Sequence, residues 1–318
     1  MADLPNGDTL PRMSERNASQ RSPHEGRPDP STHEKTGHWI PQCLTIAGSD
    51  SGGGAGIQAD LKSIQANGAF GLSVLTSITA QNTKEVVTAE DLSVDIIRSQ
   101  LRAVMDDFEI GAIKTGMLSS VDIVVAVSEF LAKVPKLPPL VVDPVMISKS
   151  GYSLLRDEAV AAVKTRLLPL ATVVTPNRHE AELLSSTSIS GPETLSEAAA
   201  RILELGPTSV LIKGGHLDEA DAADYLFRSG SGSAAQLVGR FTSPRWETRA
   251  THGTGCTFSA AICAHLAFGL DLEAAIRKAK EYVSNAIRYG LEIGHGHGPT
   301  DHFYYLRPWY RETEGGDR

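Results

Sequence analysis

The sequence predicts an α/β domain, a mostly parallel central sheet with helices on both faces in a three-layer sandwich. Three observations carry this reading. Short β-branched runs recur from Pro41 onward, and most are too continuously apolar for one-sided burial, so they read as strands covered on both faces. Longer stretches with helical periodicity lie between them, as right-handed crossovers require. Each apolar run ends in glycine, amide or charge, the composition of ligand-binding loops beyond the carboxyl edge of such a sheet.

In chain order the strands are expected at "CLTIAG", "SVLTSITA", "GAIKTG", "LVVDPV", "TVVTP" and "SVLIKGG". The helices are expected near 55–67, 92–107, 120–133, 156–168, 178–185 and 193–205. The segment 224–242 has a Gly/Ser turn between apolar runs and predicts an antiparallel hairpin extending one edge of the sheet. Two long helices close the domain, at 255–268 and 271–289. The domain therefore spans 40–310. Residues 1–39 are rich in Pro, Ser, Asn, Gly and charge with almost no aliphatic periodicity, so a disordered tail is expected there, with a short second tail at 311–318.

Composition narrows the function. Of 318 residues, 41% are hydrophobic, ample for a sizeable core. The net charge of −8, without a basic run, argues against nucleic acid or an anionic membrane as partner and for a small molecule. Cys43, Cys256 and Cys263 show no CxxC spacing, which speaks against a disulfide framework or a cysteine-built zinc site. No apolar run approaches a membrane span and no signal-peptide core follows Met1. Acids interspersed among the arginines of the tail speak against a transit peptide. A cytoplasmic protein is expected, with a homodimer as the default assembly.

Several loops carry chemistry. "GAGIQA", after the first strand, formally matches the dinucleotide fingerprint, but no acid lies between Asp60 and Glu85 to take the ribose. With no Gly-Lys pair anywhere, there is no Walker lysine either. Gly52, Gly53, Gly54 and Gly56 remain a backbone that something approaches closely, or a turn. Gly253, Thr254, Gly255 and Cys256 lead into a long apolar helix. Their N–H groups would form an anion site that also stabilises a transferring phosphoryl group. The same helix start is expected to lower the Cys256 thiol pKa, so that it can take a proton from a substrate hydroxyl. Cys263 reads as core. In "TPNRHEAE", Asn177 and Glu180 share one face of a helix start. With Asp143 they make either an oxygen-ligand cluster for Mg2+ or an ordinary first turn with its usual acid. Lys149 and Lys213 lie on strand-end loops where ATP phosphates could sit. His295 and His297 in "GHGHGP" lack a third ligand and are expected to shape the C-terminal loop.

Eight blocks in order, "TIAGSDSGGGAGIQADLK", "AQNT", "KTGML", "VVDPVM", "TPNRHEAE", "IKGGH", "HGTGCTFSAAI" and "GHGHGPTDHF", resemble the hydroxymethylpyrimidine/phosphomethylpyrimidine kinases of the ribokinase-like superfamily across about 42–303. The resemblance implies ATP-dependent phosphorylation of 4-amino-5-hydroxymethyl-2-methylpyrimidine and of its monophosphate, giving the diphosphate used to build thiamine. It also implies that Gln81 hydrogen-bonds the pyrimidine and that Gly48, Ala55, Asp60, Met117 and Val145 line its pocket. By the same resemblance Asn177 and Glu180 carry the magnesium-associated motif, and Cys256 stands where most relatives of that superfamily have an aspartate base. Two rivals remain. A pyridoxal or pyridoxine kinase of the same fold would accept another ring with a hydroxymethyl group. A nucleotide-binding regulatory protein would have kept the fold without turnover, against which the retained Cys256, anion-hole glycines and Glu180 speak.

Overall fold

In a computed structural model of the chain, residues 39–146, 157–214, 221–230 and 234–308 are described. The chain divides into two units, Met1–Trp39 and Ile40–Arg318, and the second carries the fold. The expected tails at 1–39, apart from Trp39, and at 311–318 lie outside the described residues, as does Lys149.

Among the described residues the sheet has nine strands: β1 (Gln42–Asp50), β2 (Phe70–Gln81), β3 (Val86–Asp91), β4 (Ile110–Thr115), β5 (Leu140–Val142), β6 (Val173–Val174), β7 (Ser209–Lys213), β8 (Asp221–Ser229) and β9 (Ala235–Pro244). Their order is β3-β2-β1-β4-β5-β6-β7-β8-β9. The six strands from β2 to β7 pair in parallel. All six expected strands are present and β8–β9 form the expected hairpin. Antiparallel pairing occurs at both edges, however, because β3 adds against β2. Only Val86 of β3 is buried, so a solvated edge strand left no apolar run by which the sequence could announce it.

Among the described residues there are eight α-helices: α1 (Gly56–Ala66), α2 (Val94–Met105), α3 (Val121–Leu131), α4 (Asp157–Ala162), α5 (Arg178–Ser185), α6 (Pro192–Leu203), α7 (Thr254–Ala267) and α8 (Leu272–Arg288). The expected helix at 156–168 begins as α4 and continues through a π-helical turn, Val163–Leu167. Alternation within each strand feeds two cores. Leu44, Ile46, Ile113 and Ile212 pack with α2, α3 and α6, whereas Cys43, Ala112, Val141 and Leu211 pack with α1, α7 and α8. Helix α7 is buried on every side from Thr257 to Ala264, which its run of small side chains permits by letting it lie close to the sheet. Its N-terminus is thereby held over the carboxyl ends of the central strands. Among the described residues no helix is long and apolar enough to cross a membrane.

Candidate active site

A cavity of about 200 Å3 opens beyond the carboxyl ends of the central strands. The strand order reverses between β1 and β4, and loops leaving such a point diverge and leave a crevice. Gly48, Ala55, Gln81, Met117 and Val145 line one part of it. Asp143, Asn177, Glu180 and Lys213 line another, facing Gly253, Thr254, Gly255 and Cys256. Residues up to 209 apart in sequence (47 to 256) thus share one chamber.

Gly253 caps α7 with φ 75°, and a Cβ there would lie 1.7 Å from the Gly54 carbonyl oxygen. Only glycine lets the two loops touch. The first-turn N–H groups of α7 have no preceding helical carbonyl to bond, and Gly253, Thr254, Gly255 and Cys256 line the cavity. Beneath them Lys213 Nζ stands 3.1 Å from Asp143 Oδ1, while Ser259, one turn along α7, donates to Asp143 Oδ2 at 3.0 Å. Burial alone would raise the Asp143 pKa, but Lys213 and Lys114 outweigh it and hold the carboxyl below its ordinary range. Burial would likewise discharge Lys213, yet Asp143 and Glu180 keep its pKa raised.

Asn177 and Glu180 form a complete capping box: the Glu180 N–H donates to Asn177 Oδ1 at 2.9 Å and the Asn177 N–H donates to Glu180 Oε2 at 2.8 Å. The first-turn reading of this pair is met by the capping box, and both side chains also line the cavity. Burial pushes its carboxyl up to about 7, against the pull of Lys213.

Two expectations need correction. The Cys256 thiol is not acidified: burial pushes it up to about 12, outweighing the Lys114 ammonium and a hydrogen bond from the Gly56 N–H. Desolvation of a thiolate exceeds what a helix start returns. Asp60 does not line the cavity. It is fully buried, with its carboxylate against Lys114 Nζ at 2.8 Å and accepting from Thr45 Oγ1 at 2.6 Å. Lys114 lines the cavity in its place. A lysine inside the apolar run "GAIKTG" was the available signal, because a buried ammonium requires a paired acid.

Asp50 and His252 were also missed. Asp50 accepts N–H bonds from Gly52 at 2.8 Å, Gly54 at 3.1 Å and Ala55 at 2.8 Å, so it shapes the whole glycine-rich loop. His252 Nε2 reaches Asp50 Oδ2 at 2.9 Å and stands 3.3 Å from Gln81 Nε2. Gln81 is held through its backbone as well, its N–H donating to Ser51 Oγ at 2.7 Å. The His295 and His297 N–H groups bond Thr83 at 3.2 and 2.9 Å, so that loop braces the end of β2. Among the described residues no group of three His, Cys, Asp or Glu is placed to hold a metal ion.

Residues 50–301 match the family described as phosphomethylpyrimidine kinase. A hydroxymethylpyrimidine/phosphomethylpyrimidine kinase of Streptomyces coelicolor is 49% identical over 266 residues, covering 84% of this chain and 96% of that one. Among solved structures, a phosphomethylpyrimidine kinase from Clostridium difficile superposes with a TM-score of 0.67 at 45% identity, over 78% of this chain and 100% of that one. An ADP complex of Bacillus subtilis pyridoxal kinase superposes at 0.74 with 38% identity, over 84% and 99%.

Proposed function

The chain belongs to the phosphomethylpyrimidine kinase family, and from that premise we propose how its cavity carries the reaction. It is a hydroxymethylpyrimidine/phosphomethylpyrimidine kinase that transfers a phosphoryl group from ATP, in thiamine synthesis. The observation that supports the assignment of roles is a single chamber lined both by Gln81 and by Lys213, Lys114 and the start of α7.

The ATP γ-phosphoryl group lies against the N–H groups of Gly253 to Cys256, with Lys213 on its oxygens. These donors are fixed before reaction, which is where phosphoryl-transfer catalysis chiefly arises. The hydroxymethyl oxygen lies beside Cys256. Gln81 offers an acceptor and a donor side by side, complementary to the amine and ring nitrogen of an aminopyrimidine, with Gly48, Ala55, Met117 and Val145 around the ring. Asn177 shapes the phosphate end through its cap of α5.

Asp143 and Glu180 are the groups that would hold Mg2+ on the ATP phosphates. Both are engaged by neighbouring donors, Asp143 by Lys213 and Ser259 and Glu180 by the Asn177 N–H. That suits contact through the waters magnesium retains. When bound, the ion neutralises phosphate charge. Glu180→Gln keeps a capping box but removes the charge. It should raise the Mg2+ concentration needed for half-maximal rate about tenfold with little change in melting temperature. An unchanged magnesium requirement would leave Glu180 as a cap alone.

The substrate assignment is tested at Gln81. Leaving the ligand's polar edge unpaired costs about 1 to 3 kcal/mol, so Gln81→Ala should lose about one to two powers of ten in kcat/KM for hydroxymethylpyrimidine. Turnover of pyridoxal, which has no exocyclic amine, should change less. Equal losses on both rings, or a wild-type preference for pyridoxal, would move the assignment to the pyridoxal reading.

A further inference from the structure

We propose that His252, backed by Asp50, is a positioning residue that sets which way round the Gln81 amide stands, and so turns the substrate's hydroxymethyl group toward Cys256. The inference rests on the reading of Gln81 as the group that meets the aminopyrimidine edge.

Three backbone N–H groups converge on the Asp50 carboxylate. Burial would raise its pKa, but the bond from His252 and these N–H bonds together lower it. A carboxylate only accepts hydrogen bonds. His252 Nε2, 2.9 Å away, therefore carries the hydrogen. The Gln81 amide nitrogen at 3.3 Å from the same Nε2 would then set one donor against another. Amide oxygen and nitrogen exchange places by a half-turn, and their partners decide between the two states. After that half-turn Gln81 Oε1 takes a second, longer share of the His252 Nε2–H that Asp50 accepts, a three-centre bond, and the amide NH2 faces Thr79 Oγ1, the hydroxyl now 3.3 Å from Oε1. Thr79 donates its own hydrogen to the Ser49 carbonyl at 2.8 Å and has lone pairs free to accept. In this arrangement every buried donor meets an acceptor.

The consequence for the substrate is geometric. With the amide oxygen on the His252 side and the NH2 on the Thr79 side, the ring amine docks toward His252 and the ring nitrogen toward Thr79. The hydroxymethyl group is next to the amine on the ring, so it falls on the side where His252 runs into Gly253–Cys256. A reversed amide would turn the ring over and carry the hydroxymethyl group away from the phosphoryl group.

The test compares hydroxymethylpyrimidine with the analogue lacking its 4-amino group, under saturating ATP. His252→Leu should lower kcat/KM for the aminopyrimidine ~10-fold or more, mainly in kcat, with the KM for ATP within about twofold and a much smaller loss on the analogue. His252→Gln, which returns a donor to the Nε2 position, should recover most of the loss. The double variant with Gln81→Ala should be no worse than Gln81→Ala alone, because both act through one contact. If leucine does not fold, His252→Asn, whose donor falls short of Asp50, replaces it. Losses that add in the double variant, or an ATP KM that rises in step, would overturn the proposal and assign His252 to seating the start of α7. If Gln81→Ala leaves discrimination between the two rings intact, the reading of Gln81 itself fails, and this inference with it.

Discussion

Gly253→Ala is expected to lower kcat by ~10²- to 10³-fold, the loss seen when preorganised donors leave a transition-state oxygen. The glycine has φ 75°, a conformation that costs other residues strain, and the added Cβ would lie 1.7 Å from the Gly54 carbonyl oxygen. That contact is with backbone, so relief requires the start of α7 and the glycine-rich loop to part. A displacement of about 1 Å at a reacting centre costs about 10²-fold by itself. Gly255→Val should act in the same direction, since a Cβ at Gly255 lies 3.3 Å from Lys213 Nζ and a branched side chain presses on the Lys213–Asp143 pair. Steady-state kinetics beside a thermal melt measure both. A Gly253→Ala enzyme that keeps kcat within threefold of wild type would show that these N–H groups do not face the phosphoryl group.

Cys256→Ala is expected to lower the rate ~10²-fold, the low end of what a positioned general base contributes. The pKa explains why the effect lies at that end. A thiol held up to about 12 is almost wholly protonated at neutral pH, and only its thiolate accepts the hydroxyl proton. Below that pKa the thiolate fraction grows tenfold for each unit of rising pH. The Cys256-dependent rate should therefore climb with pH through the range 7 to 10, without the plateau an acidified thiol would give, and the alanine variant should lose the climb. A profile that is flat in wild type and unchanged by alanine would reduce Cys256 to packing beside the substrate.

Much of the fold was legible because its signals are local. The runs at 140–142 and 209–213 are apolar on both faces, and a strand so composed has few places except the middle of a covered sheet. Helix α8 shows its stripe in Leu272, Ala275, Ile276, Ala279 and Val283, all buried. Strand β3 could not be read this way, since a solvated edge has no buried face to pattern. Of the candidate site, the glycines at 253 and 255, Gln81, Lys213, Asp143 and Glu180 all reach one cavity. Asp50 and His252, 202 residues apart, were invisible because neither carries a local signal of its partner.

By itself the sequence determined the architecture, the edge of the sheet at which the cavity opens, and the family. Each of these rests on periodicity or on short blocks whose meaning does not depend on distant neighbours. Only the tertiary structure decided the charge states and pairings within the chamber. The acidity of Cys256 is a balance of burial against Lys114 and the helix start. The fate of Asp60 depends on Lys114 standing 2.8 Å away, and the orientation of Gln81 on a histidine delivered from the other end of the chain. Desolvation and Coulomb attraction are set by depth and distance, and neither exists until the chain has closed on itself.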